Sequence, residues 1–181
     1  MMLVNPTDIS GAFVLVPEIS EDDRGTFART FSSKDFENLD LVSTLDQCAI
    51  SHNPKRGTLR GLHYQLAPFQ EVKLVRCSRG SIFDVVVDLR QDSPTYKKWF
   101  AKELSEQNLE LLYIPGGCAH GFITLVDNSE VFYQISGKYN PEFARGIAWN
   151  DPTFKINWPI QPTLMSQKDK DCPPYREMEH A

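Results

Sequence analysis

The segment Gly57-Thr-Leu-Arg-Gly-Leu-His-Tyr-Gln65 sets His63 and Arg60 among apolar residues. A neutral imidazole is the side chain best matched to taking a proton near pH 7. Read as a strand, the segment puts Gly61, His63 and Gln65 on one face and Arg60, Leu62 and Tyr64 on the other, and glycine at 61 keeps the space beside His63 open. Val72-Lys-Leu-Val-Arg76 carries Lys73 inside an apolar run. An ammonium there loses hydration unless an anion or a carboxylate answers it, although a lone lysine commonly snorkels to a strand edge instead. In Glu130-Val-Phe-Tyr-Gln-Ile135, Tyr133 shares a face with Val131 and Ile135, so its hydroxyl enters the interior and needs a partner. Pro115-Gly-Gly117-Cys-Ala-His120 reads as a tight turn that explains its glycines and leaves His120 just past the bend. Taken singly, each of these residues has an ordinary structural explanation.

The elements that must bring them together are strands. Segments rich in Val, Ile, Phe, Tyr and Thr lie between 12 prolines and 10 glycines and predict strands at 13–16, 27–31, 45–52, 58–65, 72–77, 82–89, 99–104, 111–114, 121–125 and 131–136. So many short strands in 181 residues point to one all-β domain, a sandwich or barrel, and the missing alternation with long amphipathic helices argues against a doubly wound α/β fold. Helical signals are confined to a short helix at 32–38, where Ser32 is followed three residues later by Asp35, and a single turn at 105–108. From about residue 159 the chain is polar and Pro-containing, and reads as a loop packing on the domain. With 24 acidic against 19 basic residues the net charge is −5, which disfavours nucleic-acid binding. The apolar runs at 12–16 and 85–87 fall far short of the roughly 20 residues that span a bilayer, and no secretory signal is visible, so a cytoplasmic protein is expected. Cys48, Cys77, Cys118 and Cys172 are scattered, as expected of reduced thiols rather than a disulfide framework or zinc site.

Pro115-x-Gly117-x-x-His120 resembles the second motif of the cupin superfamily, but the metal-binding first motif, H-x-H, is His63-Tyr64-Gln65 here. A catalytic metal ordinarily takes three protein ligands, so no metal is expected. Nor does a G-x-G-x-x-G or Walker motif support a bound nucleotide cofactor.

Taken together, Asp23-Arg-Gly-x-Phe27, Leu59-Arg-Gly-Leu-His-Tyr-Gln65, Lys73-Leu-Val-Arg76, Gly80-x-x-x-Asp84-Val-x-Val-Asp88-Leu-Arg90, Ser93-Pro-Thr95, Ile114-Pro115, Ala119-His-Gly-Phe122, Trp149-Asn-Asp-Pro152 and Ser166-x-Lys-Asp169 resemble the dTDP-4-dehydrorhamnose 3,5-epimerase family. The match runs from about residue 8 to 171. The resemblance implies a cupin jelly-roll β-sandwich with few short helices, a homodimer often exchanging strands, and a cofactor-free enzyme acting on a nucleoside-diphosphate 4-keto-6-deoxy sugar. It implies His63 as general base, Asp169 as the carboxylate orienting it, Lys73 as the cation for the C4 enolate oxygen, and Tyr133 as the acid on the opposite face. Arg24, Arg60, His120 and Lys168 match positions that hold the diphosphate and sugar, Gln47 a base or ribose contact, and Tyr139 a ring that stacks on the base. Three positions around the nucleotide depart from the pattern: Arg29 and Ala144 stand where glutamates are common, and Ala49 where an asparagine is. The sugar chemistry is therefore better supported than the thymine. A single-carbon 3- or 5-epimerase, a CDP-sugar enzyme, a 3,4-ketoisomerase and a non-catalytic sugar-binding cupin are the alternatives. Asp84 and Asp88 read as structural hydrogen-bonding groups.

Overall fold

A computed structural model describes residues 2–176. Thirteen strands and two short helices follow one another as β1 (Leu3–Pro6), β2 (Phe13–Val16), β3 (Ile19–Asp22), β4 (Gly25–Ala28), α1 (Ser33–Asn38), β5 (Gln47–Asn53), β6 (Leu59–Gln65), β7 (Val72–Arg79), β8 (Ser81–Asp88), β9 (Trp99–Ser105), β10 (Leu111–Ile114), β11 (Cys118–Thr124), β12 (Ser129–Ser136), β13 (Ala144–Gly146) and α2 (Gln167–Lys170). A six-stranded sheet, β1-β2-β10-β7-β12-β5, faces a five-stranded sheet, β13-β6-β11-β8-β9, and every pairing is antiparallel. The β3–β4 hairpin forms a sheet of its own.

Period-2 alternation decides what each strand buries. In β7, Val75 and Cys77 enter the core between the sheets with Val14, Leu112 and Val131, meeting Ile82, Val86, Leu104 and Phe122 from the other side. The opposite face of the five-stranded sheet is also covered: Leu62, Tyr64, Val85, Val87 and Ala119 pack under Phe154, Ile156, Trp158 and Tyr175. Burial on both faces is why β8 reads as a continuous apolar run. Helix α1 begins as expected, with the Ser32 side chain accepting from the Asp35 amide. It lays the fully buried Phe36 over Leu15, Leu74, Leu111 and Tyr113, a ring whose burial contributes about 2–3 kcal/mol.

Three expectations are corrected and one is met. β1, β3 and β13 escape the pattern because each is a short edge or hairpin strand with little buried surface. The single turn expected at 105–108 forms, closed by Ser105 and Asn108 side chains accepting from each other's amides at 3.1 and 3.0 Å. The polar segment after 159 is not all loop, since α2 forms there with the Ser166 hydroxyl as its cap. Finally, β11 starts at Cys118 rather than at 121, so His120, just past the bend as expected, already lies within the strand.

One irregularity matters for the site. On β6 and β11, His63 is opposite His120 but Arg60 is opposite Phe122, so β6 carries one extra residue there. Such a bulge breaks alternation. Arg60 therefore shares the inward face of His63, contrary to the simple alternating reading. Gly61 occupies the bulge at φ +126, and a Cβ there would lie 2.5 Å from the Gly121 Cα and 2.9 Å from the His120 carbonyl oxygen. Only glycine allows the two backbones so close.

Candidate active site

The inward faces of the two sheets bring these side chains toward one another. From β6, His63 Nε2 meets Asp169 Oδ1 at 2.6 Å. The histidine side chain is 44% exposed and the carboxylate 5%, so the ring is accessible while its partner is dry. Asp169 is placed by its helix: three residues after Ser166, its amide donates to the Ser166 hydroxyl at 3.1 Å, which fixes the first turn of α2 against β6. Burial works to raise the Asp169 carboxyl, but the His63 hydrogen bond and charge, the Ser166 bond and the Arg60 guanidinium outweigh it and hold it below the usual range.

Next to His63 in register, His120 gives Nε2 to the fully buried Asp84 Oδ1 at 2.8 Å. Burial pushes the Asp84 carboxyl up, opposed by the charge and hydrogen bond of His120. From the facing sheet, the Tyr133 ring stands edge-on to His120, with centroids 5.9 Å apart. Its phenol is raised well above the ordinary value, first by burial and then by Asp84, with Arg60 acting the other way. Arg60 joins the two sheets, its Nε donating to Asn53 Oδ1 on β5 at 2.8 Å.

Lys73 comes from β7, two residues before Val75, the register partner of Tyr133. It is buried rather than snorkelled, and its charge is answered by Glu71, Nζ to Oε2 3.1 Å. Gln47 sits level with Lys73 along its row, opposite Ile135, and donates to the Gly137 carbonyl at 3.3 Å. Ala49, in the same strand, is opposite Tyr133. Tyr139 is 57% exposed in the segment after β12, and Lys168 is exposed on α2 beside Asp169.

Six expected residues are thus brought together: His63, Asp169, Lys73, Tyr133, Arg60 and His120. Gln47, Tyr139 and Lys168 lie on neighbouring segments. Arg24 stands apart at the tip of the β3–β4 hairpin, 90% exposed and paired with Asp22 at 2.6 Å. Of the two acids that touch these groups, the sequence reads Asp84 as a structural hydrogen-bonding group and does not single out Glu71. For Asp84 the signal was available: it is a carboxylate two residues from the core residues Ile82 and Val86 on one face of β8, where burial demands a partner. Glu71 precedes β7 and carries no such pattern. Among the described residues, no three His, Cys, Asp or Glu side chains cluster to hold a metal ion. The two buried thiols are not poised for chemistry either: burial pushes Cys77 up to about 11 and Cys118 up to about 12.

Two facing antiparallel sheets with their polar residues gathered between them define a cupin-like β-sandwich. A family profile described as dTDP-4-dehydrorhamnose 3,5-epimerase matches residues 6–177. A dTDP-4-dehydrorhamnose 3,5-epimerase of Sinorhizobium fredii is 41% identical over 178 residues, 98% of this chain and 91% of that protein. A dTDP-4-dehydrorhamnose 3,5-epimerase from Bacillus anthracis, solved with TDP and PPi bound, superposes with a TM-score of 0.93 at 38% identity, covering 97% of this chain and 100% of that one. A dTDP-6-deoxy-D-glucose-3,5-epimerase from Legionella pneumophila, in complex with dTDP-4-keto-L-rhamnose, gives 0.91 at 35%, covering 96% and 93%. The chain belongs to the dTDP-4-dehydrorhamnose 3,5-epimerase family of isomerases.

Proposed function

We propose that the protein inverts C3 and C5 of dTDP-4-dehydro-6-deoxy-D-glucose, giving dTDP-4-dehydro-L-rhamnose. The observation that supports this reading is a His–Asp pair at one sheet, next in register to His120, and a tyrosine on the facing sheet whose ring meets His120 at 5.9 Å. Inversion at carbon needs a base on one face of the ring and an acid on the other, because a single group tends to return the proton where it came from.

The C4 carbonyl acidifies the hydrogens on C3 and C5. His63 uses Nε2–H to bond Asp169, which leaves Nδ1 as the nitrogen with a free lone pair. That lone pair takes the proton, the C–H electrons move into the carbonyl, and an enolate oxygen forms opposite the Lys73 ammonium. A fixed cation stabilises charge that develops only in the transition state, so its effect falls on rate more than on binding. Asp169 stabilises the imidazolium as it forms. Tyr133 then donates its hydroxyl proton to carbon from the other face. Its raised pKa keeps it protonated beforehand. Arg60, His120 and Lys168 bind the diphosphate and sugar, and Gln47 and Tyr139 meet the nucleoside. No cofactor takes part in these steps.

In this reading the protein works as a homodimer in the cytoplasm. Among the described residues the β3–β4 hairpin pairs with no other strand, and it exposes Ile19 at 47% and Phe27 at 67%, which suits it to reach a second copy and carry Arg24 there. Among the described residues no helix is long and apolar enough to cross a membrane.

Proton NMR in heavy water tests the function. Incubation with dTDP-4-dehydro-6-deoxyglucose is expected to exchange the C3 and C5 hydrogens, and His63→Ala to abolish both exchanges. Exchange at one carbon only would make this a single-carbon epimerase, and exchange confined to the CDP analogue would move the specificity away from thymidine. No exchange with either would end the enzymatic reading.

A further inference from the structure

Asp84 is a carboxylate in the middle of an apolar strand, flanked on its own face by the core residues Ile82 and Val86. Its side chain is 0% exposed. Oδ1 accepts from His120 at 2.8 Å, while Oδ2 is buried with no hydrogen-bond partner among the described residues. A dry, half-satisfied carboxylate is costly to keep, and a hydrophobic residue of similar size would pack this row more favourably.

We infer that Asp84 is a positioning residue: it fixes His120 with Nε2 toward itself and holds a proton on the ring, so that a positive charge lies beside Tyr133 as that phenol gives up its proton. The reasoning is electrostatic. Tyr133 already sits where burial and the Asp84 charge oppose a phenolate. Donating its proton to carbon creates that phenolate; Arg60 offsets it, and the ring edge-on at 5.9 Å, His120, adds to that only when it carries a second proton. A neutral imidazole offers no such offset, so the carboxylate behind it matters. The other groups facing the pair are His63 on β6, Cys77 on β7, Cys118 on β11, Asp88 further along β8, and Lys102 on β9, whose charge goes to Glu110 at 2.9 Å.

This inference rests on Tyr133 as the acid, and the test separates the two. In full-length protein, Asp84→Asn keeps the shape and removes the charge. It is expected to lower the rate of inversion about 10- to 100-fold while KM and His63-dependent exchange into heavy water change less than about threefold. A purely structural role would lower exchange and inversion together. The chain has 4 histidines, so 15N spectra of the side chains are tractable. The wild-type His120 ring should carry its proton on Nε2 and keep its second proton to a higher pH than in Asp84→Asn. A wild-type His120 protonated on Nδ1 alone, readable without any variant, overturns the inference. So does an Asp84→Asn protein with wild-type inversion in a background where Tyr133→Phe impairs it. If Tyr133→Phe itself leaves inversion intact, the acid role fails and takes this inference with it.

Discussion

Asp169→Asn replaces a carboxylate with a neutral group of nearly the same shape, so it leaves no cavity under His63 and isolates the effect of charge. The bond it weakens is short, 2.6 Å, and joins the ring to an ionised group that is 5% exposed. Hydrogen bonds to charged groups contribute about 1.5–3 kcal/mol net, and about 1.4 kcal/mol is a factor of ten in rate. The stabilisation is felt most when the ring becomes an imidazolium, so the loss should fall on kcat, about 10- to 100-fold, with KM nearly unchanged. The pH dependence has a definite sign. Because the Asp169 carboxyl lies below its ordinary value, it is ionised throughout the neutral range, and its help to the base disappears only as pH falls through that lowered value. In the asparagine variant the carboxylate is absent at every pH, so the acid limb of the pH–rate profile should move to lower pH and the plateau should drop. Following C3 and C5 exchange by NMR across pH 5 to 9, alongside turnover, measures both. A plateau within about twofold of wild type, or a loss confined to KM, would refute the argument that Asp169 acts through the charge of His63.

Three further outcomes are expected. Lys73→Met should lower the rate of enolate formation by about 100-fold or more, read as exchange at saturating substrate, and a change in KM alone would remove its oxyanion role. Gly61→Ala sets a Cβ against backbone on both the Gly121 and His120 sides and should cost about 2 kcal/mol or more, seen as a lower melting temperature together with lost activity; an unchanged melting temperature would contradict the bulge geometry. Burial works against the Asp88 carboxylate, but Arg90, Ser93 and Thr95 bring it down to about 2, so it contributes about 2 kcal/mol that is present above pH 4 and lost as pH falls toward 2. Denaturant titrations of Asp88→Asn should therefore differ from wild type at pH 7 and converge near pH 2, and a constant difference would be inconsistent with that origin.

The residue pattern by itself determined the strand class and the short helix capped by Ser32, because alternation, capping and turn chemistry are local. β2 and β10 are legible to the residue for the same reason, their apolar runs ending at turns. The proposed roles of His63, Lys73, Tyr133 and Asp169 came from the ordered set of motifs along the chain. What only the tertiary structure decided is which faces meet. The extra residue at Gly61 turns Arg60 toward His63, and no alternation rule can place a bulge whose cause is the Gly121 backbone on another strand. Asp84 and Glu71 look like ordinary strand or turn acids until their burial and their partners His120 and Lys73 are seen. Asp169, in a polar stretch that reads as loop, becomes a buried carboxylate because the Ser166-capped turn docks on β6. Burial and cross-sheet distance set the charge of every group here, and both are properties of packed surfaces rather than of neighbours in sequence.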